Sequence, residues 1–250
     1  MRLLVYNIRY ATGVGPAFHI PVPGAGYLRS SRHVLAEITR FIKSEDPDVV
    51  GLIEVDTGSI RSGMVNQADH IGQSLGHFST YECKYGVSSV NQWMPIIRKQ
   101  SNAFLAAPRV RGERFHYFDT GIKRLIIELE LDDVAIFLVH LSLKFRHRQY
   151  QLRHLYDLIR RSPKPVIVAG DFNTYWGDDE IYLFRQAAGL SNANVRGLPS
   201  YPSRGPRKEI DFILHCDRIS IDHFEIPDVR LSDHLPLICD FTVHPRAPTG

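Results

Sequence analysis

Cysteine is scarce in this chain. Its three thiols, Cys83, Cys216 and Cys239, lie far apart and never form a Cys-x-x-Cys pair. That argues against a disulfide framework and against a thiolate zinc site, and the three read as buried strand thiols. Long apolar runs are missing as well. The longest are strand-sized, against the ~20 residues of a membrane-spanning helix. No internal repeat and no dividing linker are visible. Charge of one sign is not in excess, since 30 Lys and Arg against 27 Asp and Glu leave a formal +3. Met1 is followed almost at once by the first strand, which leaves no room for a cleavable leader and predicts a cytoplasmic protein. What is present is an ordinary globular composition, 44% hydrophobic and 23% charged over 250 residues. We expect one domain spanning 1–250, a monomer that buries roughly three-quarters of its unfolded surface.

The elements alternate. Leu3 to Asn7 reads as a strand, followed by a Gly/Pro-rich stretch over 12–26 that is too long for a plain connection and would overhang the end of that strand. Ser30 or Ser31 can cap a helix carrying Val34, Leu35, Ile38, Phe41 and Ile42 on one stripe, with Pro47 beyond its end. A strand at 49–54 and a weaker helix at 66–75 come next. Strands are expected at 79–84, 102–107, 114–118, 123–131 and 134–141. A helix spans 146–161, and a second, capped by Asp178 and with Leu183, Phe184 and Ala187 inward, runs to Ala188. Strands at 210–214, 219–226 and 237–242 complete the chain. Strands that follow helices mixed with strands that follow each other predict two mixed sheets packed face to face with helices outside, an α/β arrangement of three or four layers. Lys144, Arg146, His147, Arg148, Arg153, Arg160, Arg161 and Lys164 crowd one segment. That patch suits a phosphate-bearing partner, and the solvated face of the 146–161 helix is the competing reading.

The chemistry sits at strand ends. Val166-Ile167-Val168-Ala169-Gly170-Asp171-Phe172-Asn173 climbs an apolar run and then presents a carboxylate and a carboxamide two residues apart. Alternate residues of an extended chain share a face, so Asp171 and Asn173 can converge on one reacting group. Asp can hold a water for attack, and Asn can donate to an oxygen gaining charge. Other apolar runs end on Asn7, Glu54 and His140, and Asp211 and Ser232-Asp233-His234 stand beside apolar runs near the C-terminus. Buried polar groups are costly unless paired or metal-bound, so repeated placement of this kind points to one assembled site.

The ordered set Asn7, Glu54, His140, Gly170-Asp171-Phe172-Asn173, Asp211 and Ser232-Asp233-His234 resembles the endonuclease/exonuclease/phosphatase superfamily, the DNase I-like fold, over nearly the whole chain. The resemblance implies a four-layer α/β sandwich and a metal-dependent phosphoesterase. Glu54 would be the central metal ligand, with Asn7 and Asp233 beside it and magnesium as the cation, manganese as a substitute. Asp171 would position or deprotonate the attacking water, and Asn7 and Asn173 would hold a phosphoryl oxygen. Asp211 would fix the tautomer of His234, which contacts the phosphate. His140 would act as an acid toward the leaving group, a satisfied core histidine being the alternative. Arg9, which shares a strand face with Asn7, Arg124 and Trp176 are further substrate contacts to test.

The substrate is less defined. Ile53-Glu54-Val55-Asp56 replaces the Gln-Glu cluster of apurinic-site endonucleases, and the Pro-Ala-Trp-Cys-Asp-Arg signature of inositol-polyphosphate 5-phosphatases is absent. A compact phosphate ester, a nucleic acid and a phosphorylated lipid all stay open as partners. A catalytically silent nucleic-acid-binding module predicts losses among these polar positions, and none is lost.

Overall fold

Two strand–helix–strand crossovers of the same construction organise the chain. The computed structural model describes residues 1–14, 31–83, 99–107, 109–118, 125–177 and 179–245. In chain order the elements are β1 (Arg2–Asn7), α1 (Arg32–Ser44), β2 (Val49–Asp56), α2 (Gln67–Leu75), β3 (Phe78–Cys83) and β4 (Gln100–Ala106). Then come β5 (Gly112–Tyr117), β6 (Leu125–Glu130), β7 (Ala135–His140), α3 (Phe145–Ile159), β8 (Val166–Asp171) and α4 (Asp179–Ala188). The short β9 (Ser191–Asn192), β10 (Asp211–His215), β11 (Ile219–Glu225) and β12 (Leu237–Val243) close the sequence. Short 3-10 turns lie at Arg9–Ala11 and Ile60–Ser62. No helix among the described residues is long and apolar enough to cross a membrane.

The strands form two six-stranded mixed sheets, ordered β11-β12-β1-β2-β4-β3 and β5-β6-β7-β8-β10-β9. Each has one parallel pair at its centre, β1 with β2 and β7 with β8, and antiparallel neighbours elsewhere. In each of those two pairs an α-helix joins the two strands, as a parallel connection requires.

Period-two alternation sorts the core into three sheets of packing. Leu3 and Val5 of β1 point between the sheets and meet Phe104, Ile127, Leu138 and Ile213. Leu4 and Tyr6 point outward against Leu35, Ile38 and Ile42 of α1 and Ile71 of α2. On the other sheet Phe137, Val139 and Val168 point outward against Leu152, Leu155 and Ile159 of α3 and Ile181 and Phe184 of α4. The result is the expected four layers, helix–sheet–sheet–helix. Central strands buried on both faces explain why their sequences are almost unbroken apolar runs.

Element boundaries fall within two residues of the sequence expectation where both can be compared. Ser31 caps α1, its Oγ accepting from Val34 N at 3.4 Å. Asn66 caps α2 through the amides of Ala68 and Asp69. The alternative cap Ser30, the cap Asp178, Arg124 and all of the 12–26 stretch beyond Val14 lie outside the described residues. The phase of α4 differs from the expectation. Ile181 and Phe184 face inward with Ala188 partly buried against them, whereas Leu183 and Ala187 face solvent. Two adjacent apolar residues fit a helical stripe equally well, and the packing of α4 against α3 decides between them.

Candidate active site

Parallel pairing decides where the polar strand ends meet. Strands of a parallel pair finish at one edge, so Asn7, ending β1, stands in register with Ile53, next to Glu54. His140, ending β7, is the direct partner of Asp171, ending β8. Strand β10 runs antiparallel to β8 and starts where β8 stops, which sets Asp211 opposite Asp171. Strands β1 and β2 pack across the interface from β8, and the two edges become one.

Asp171 Oδ2 is the hub. Asn7 Nδ2 donates to it at 3.2 Å, His140 Nε2 stands 3.2 Å away, and His234 Nε2 4.0 Å away. The other oxygen, Oδ1, accepts from the Asn173 backbone N–H at 3.0 Å. The strand leading there demands a glycine. Gly170 has φ +140°, and a Cβ on it would sit 2.0 Å from the Val139 carbonyl oxygen of β7. Asn173 takes a left-handed φ of +54°, and its Nδ2 donates to Leu141 O at 2.9 Å. Its amide therefore locks the ends of β7 and β8 together while its backbone orients Asp171, a bracing role that simple alternation along the strand does not reveal.

Glu54 reaches the site through a local irregularity. The β2–β4 register slips between Leu52 and Val55, and Glu54 takes φ +58° there. Such a bulge re-aims a side chain, and left-handed backbone costs a non-glycine residue roughly 1–3 kcal/mol. The Glu54 N–H donates to Asn102 Oδ1 at 3.3 Å, and the Glu54 carboxylate lies 4.0 Å from His140 Nε2.

A second strained segment presents Arg9. Arg9, Tyr10 and Ala11 have φ of +45°, +56° and +51°. Arg9 is therefore beyond β1 in a left-handed turn and not on its strand face, contrary to the sequence expectation. The turn is held from behind. Gln67 Nε2 donates to Tyr10 O at 2.8 Å, and the Arg61 guanidinium covers the Tyr10 ring at 3.9 Å. Fully buried Asp56 pairs with Arg61 at 2.8 Å and accepts the Gly58 and Ser59 amides. In front, Arg9 Nη1 lies 3.3 Å from Asp233 Oδ2, and Asn7 Oδ1 accepts the Arg9 N–H.

Asp211 and His234 pair as expected. His234 Nδ1 bonds Asp211 Oδ2 at 2.8 Å, and Ser200 Oγ donates to the same oxygen at 2.6 Å. Burial alone would lower the His234 pKa. The charge and hydrogen bond of Asp211, joined by Asp171 and Asp233, overcome that and push it up to about 10. That shift favours the imidazolium form, and Nε2 faces Asp171. Tyr201 packs on it at 4.9 Å between centroids, and Tyr175 packs edge-on against Tyr201. Burial raises both phenols above their usual range.

Asp171, Asp211 and His234 have ligand atoms within 4.8 Å of one another. Asp211 Oδ2 already takes two hydrogen bonds, from Ser200 Oγ and from His234 Nδ1. Two sequence expectations fall outside the cluster. Trp176 is 86% exposed, and its backbone N–H donates to Glu180 Oε1. Arg148, counted by sequence in the basic patch, is fully buried and pairs with Glu180. Ser200, Tyr201, Arg61 and Asn102 were missed, since none ends an apolar run and each reaches its partner only through folding.

The sequence profile of the Endonuclease/Exonuclease/phosphatase family matches residues 4–234. An uncharacterised Escherichia coli protein, YbhP, is 31% identical over 113 residues, 42% of this chain and 44% of its own. The chain thus aligns with under half the length of that curated relative. A mannosyl-6-phosphatase of Bacteroides thetaiotaomicron shares the fold at TM-score 0.71 and 13% identity, over 97% of this chain and 99% of that one. Danio rerio TDP2, solved with a single-strand DNA product, matches at TM-score 0.69 and 15% identity with the same coverage.

Proposed function

The chain belongs to the Endonuclease/Exonuclease/phosphatase family, and from that premise we propose that it hydrolyses a phosphate ester by in-line attack of water, a compact phosphoester being its substrate. The observation that carries this reading is the convergence of Asn7, His140 and His234 on Asp171 Oδ2. Asp171 holds the attacking water and takes its proton. His234, kept charged by Asp211, donates from Nε2 to a phosphoryl oxygen, and Asn7 Nδ2 donates to another. His140 protonates the leaving oxygen from Nε2.

The remaining oxygen donors fit a hard divalent cation. Glu54 and Asp233 offer carboxylates and Asn7 an amide oxygen, with no thiolate among them. Glu54, held in strained backbone at the site, would be its principal ligand. Magnesium bound there would neutralise phosphoryl charge and act as a Lewis acid.

Tyr175 and Tyr201 form an aromatic wall beside His234, which suits a pocket for one ester more than a groove along a duplex. The nuclease reading rests on the exposed cations of α3. The test is a hydrolysis screen with bis-p-nitrophenyl phosphate, phosphomonoesters, DNA and RNA, with and without a chelator. Glu54→Gln is expected to stay folded and lose magnesium-dependent turnover by about a hundredfold or more. Full activity in that variant, or wild-type activity untouched by chelation, overturns the assignment.

A further inference from the structure

Large apolar side chains normally scatter singly over a surface, and a contiguous group marks an interaction site. Here Leu143 and Phe145 after β7, Trp176 after β8 and Leu183 on α4 are all more than half exposed. The segments that carry them are tied to one another. Buried Arg148 donates to the carbonyls of Ser142 and Leu143 at 2.7 and 3.2 Å and pairs with Glu180. Glu180 Oε1 takes the Trp176 N–H at 3.0 Å, and Gln149 Nε2 donates to Glu180 O at 3.0 Å. The two loops and the first turn of α4 are thereby tied to α3.

Charge lies beside this apolar rim. Exposed Lys144 and Arg146 interleave with Leu143 and Phe145. Arg146, Arg153 and Arg160 recur every seventh residue, so they form one exposed stripe along α3. Among the described residues Asp157 on α3 and Asp179 on α4 are the exposed acids nearest in sequence, and Lys144, Arg146, Arg153, Arg160 and Arg161 outweigh them.

We propose that this face docks on an anionic phospholipid surface, with Leu143, Phe145 and Trp176 entering the interface and the α3 stripe lying over the headgroups. Apolar insertion beside a basic stripe is how interfacial segments bind such surfaces. A nucleic acid would give Leu143 and Leu183 nothing to do, because aliphatic side chains have no ring face on which a base can stack. A symmetric contact with a second copy would bring the basic stripes together. His140 precedes Leu143 by three residues and Asn173 precedes Trp176 by three, so docking sets the edge that carries the catalytic cluster against the bilayer. The inference goes beyond the esterase reading and is independent of it, because binding is measured without turnover.

The experiment is sedimentation of the full chain with phosphatidylcholine vesicles and with vesicles carrying about a third phosphatidylglycerol. Binding is expected to the anionic vesicles alone. Removing Lys144 and Arg146 as alanines should weaken partitioning about fivefold for each charge. Leu143→Ser with Phe145→Ser, at unchanged charge, should weaken it roughly tenfold or more. In a Trp93→Phe background, Trp176 emission should shift to the blue when anionic vesicles are added. If the serine variant loses its circular dichroism, the emission shift decides. Equal sedimentation with both vesicles, no sedimentation, or losses confined to the charge variants would overturn the proposal. So would oligonucleotide binding that depends on Leu143 and Phe145 while vesicles stay unbound.

Discussion

Asp171 and His234 show how burial and hydrogen bonding set two common side chains against each other. Both are almost fully buried, and each is held by groups that leave one face toward the other. Because Asp211 acts through the ring it orients, the two positions behave as a unit. Asp211→Asn is expected to impair turnover strongly, and adding His234→Ala should cost little more; fully additive losses in a double-mutant cycle would count against the pairing. The pair also sets a pH dependence. The folded pKa of His234, about 10, lies above its ordinary 6.5. Its contribution to stability is therefore complete below about pH 6.5 and is lost as pH rises through about 10. In the metal-free protein the ring resonances of His234 should not titrate between about pH 6 and 9, and a midpoint near neutrality would refute the charged state.

At the scale of elements, the meeting of β7 and β8 depends on a missing side chain. Gly170→Ala places a methyl 2.0 Å from the Val139 carbonyl, on backbone that cannot give way without parting the two strands. A loss of about 3 kcal/mol or more is expected, with collapse of the Asp171–His140 contact. Gly76, the left-handed end of α2, offers a control. Its φ is +72° with nothing near the would-be Cβ, so Gly76→Ala should cost about 1 kcal/mol from strain alone. Denaturant midpoints at constant m-value separate the two cases.

For the whole molecule the distinguishing quantity is how binding responds to salt. A protein that grips a duplex loses about one power of salt for each phosphate it neutralises. A site that takes one ester beside an aromatic wall should show a shallow slope. With Asp171→Asn, a variant meant to bind without turnover, DNA and RNA affinities measured across salt are expected to be weak and shallow. Tight binding with a steep slope, reduced by Arg146→Ala and Arg153→Ala, would shift the reading to a nuclease.

The amino-acid sequence by itself determined that two sheets pack with helices outside them, and which polar groups stand at the strand ends. Alternation, helical stripes, the cap at Ser31 and the runs ending on Asn7, His140 and Asp171 are local signals, each set by chain geometry over a few residues. Only the tertiary structure decided how those groups are aimed. The bulge that turns Glu54 inward exists because β4 pairs with β2 on both sides of a register slip. The left-handed turn at Arg9 persists because Asp56, Arg61 and Gln67, some fifty residues away, brace it. Arg148 left the basic surface, and Leu183 left the core, because the packing of α3 and α4 chose which side of each helix is covered. Strain and burial of this kind are settled by partners distant in sequence, and no local pattern of residues carries them.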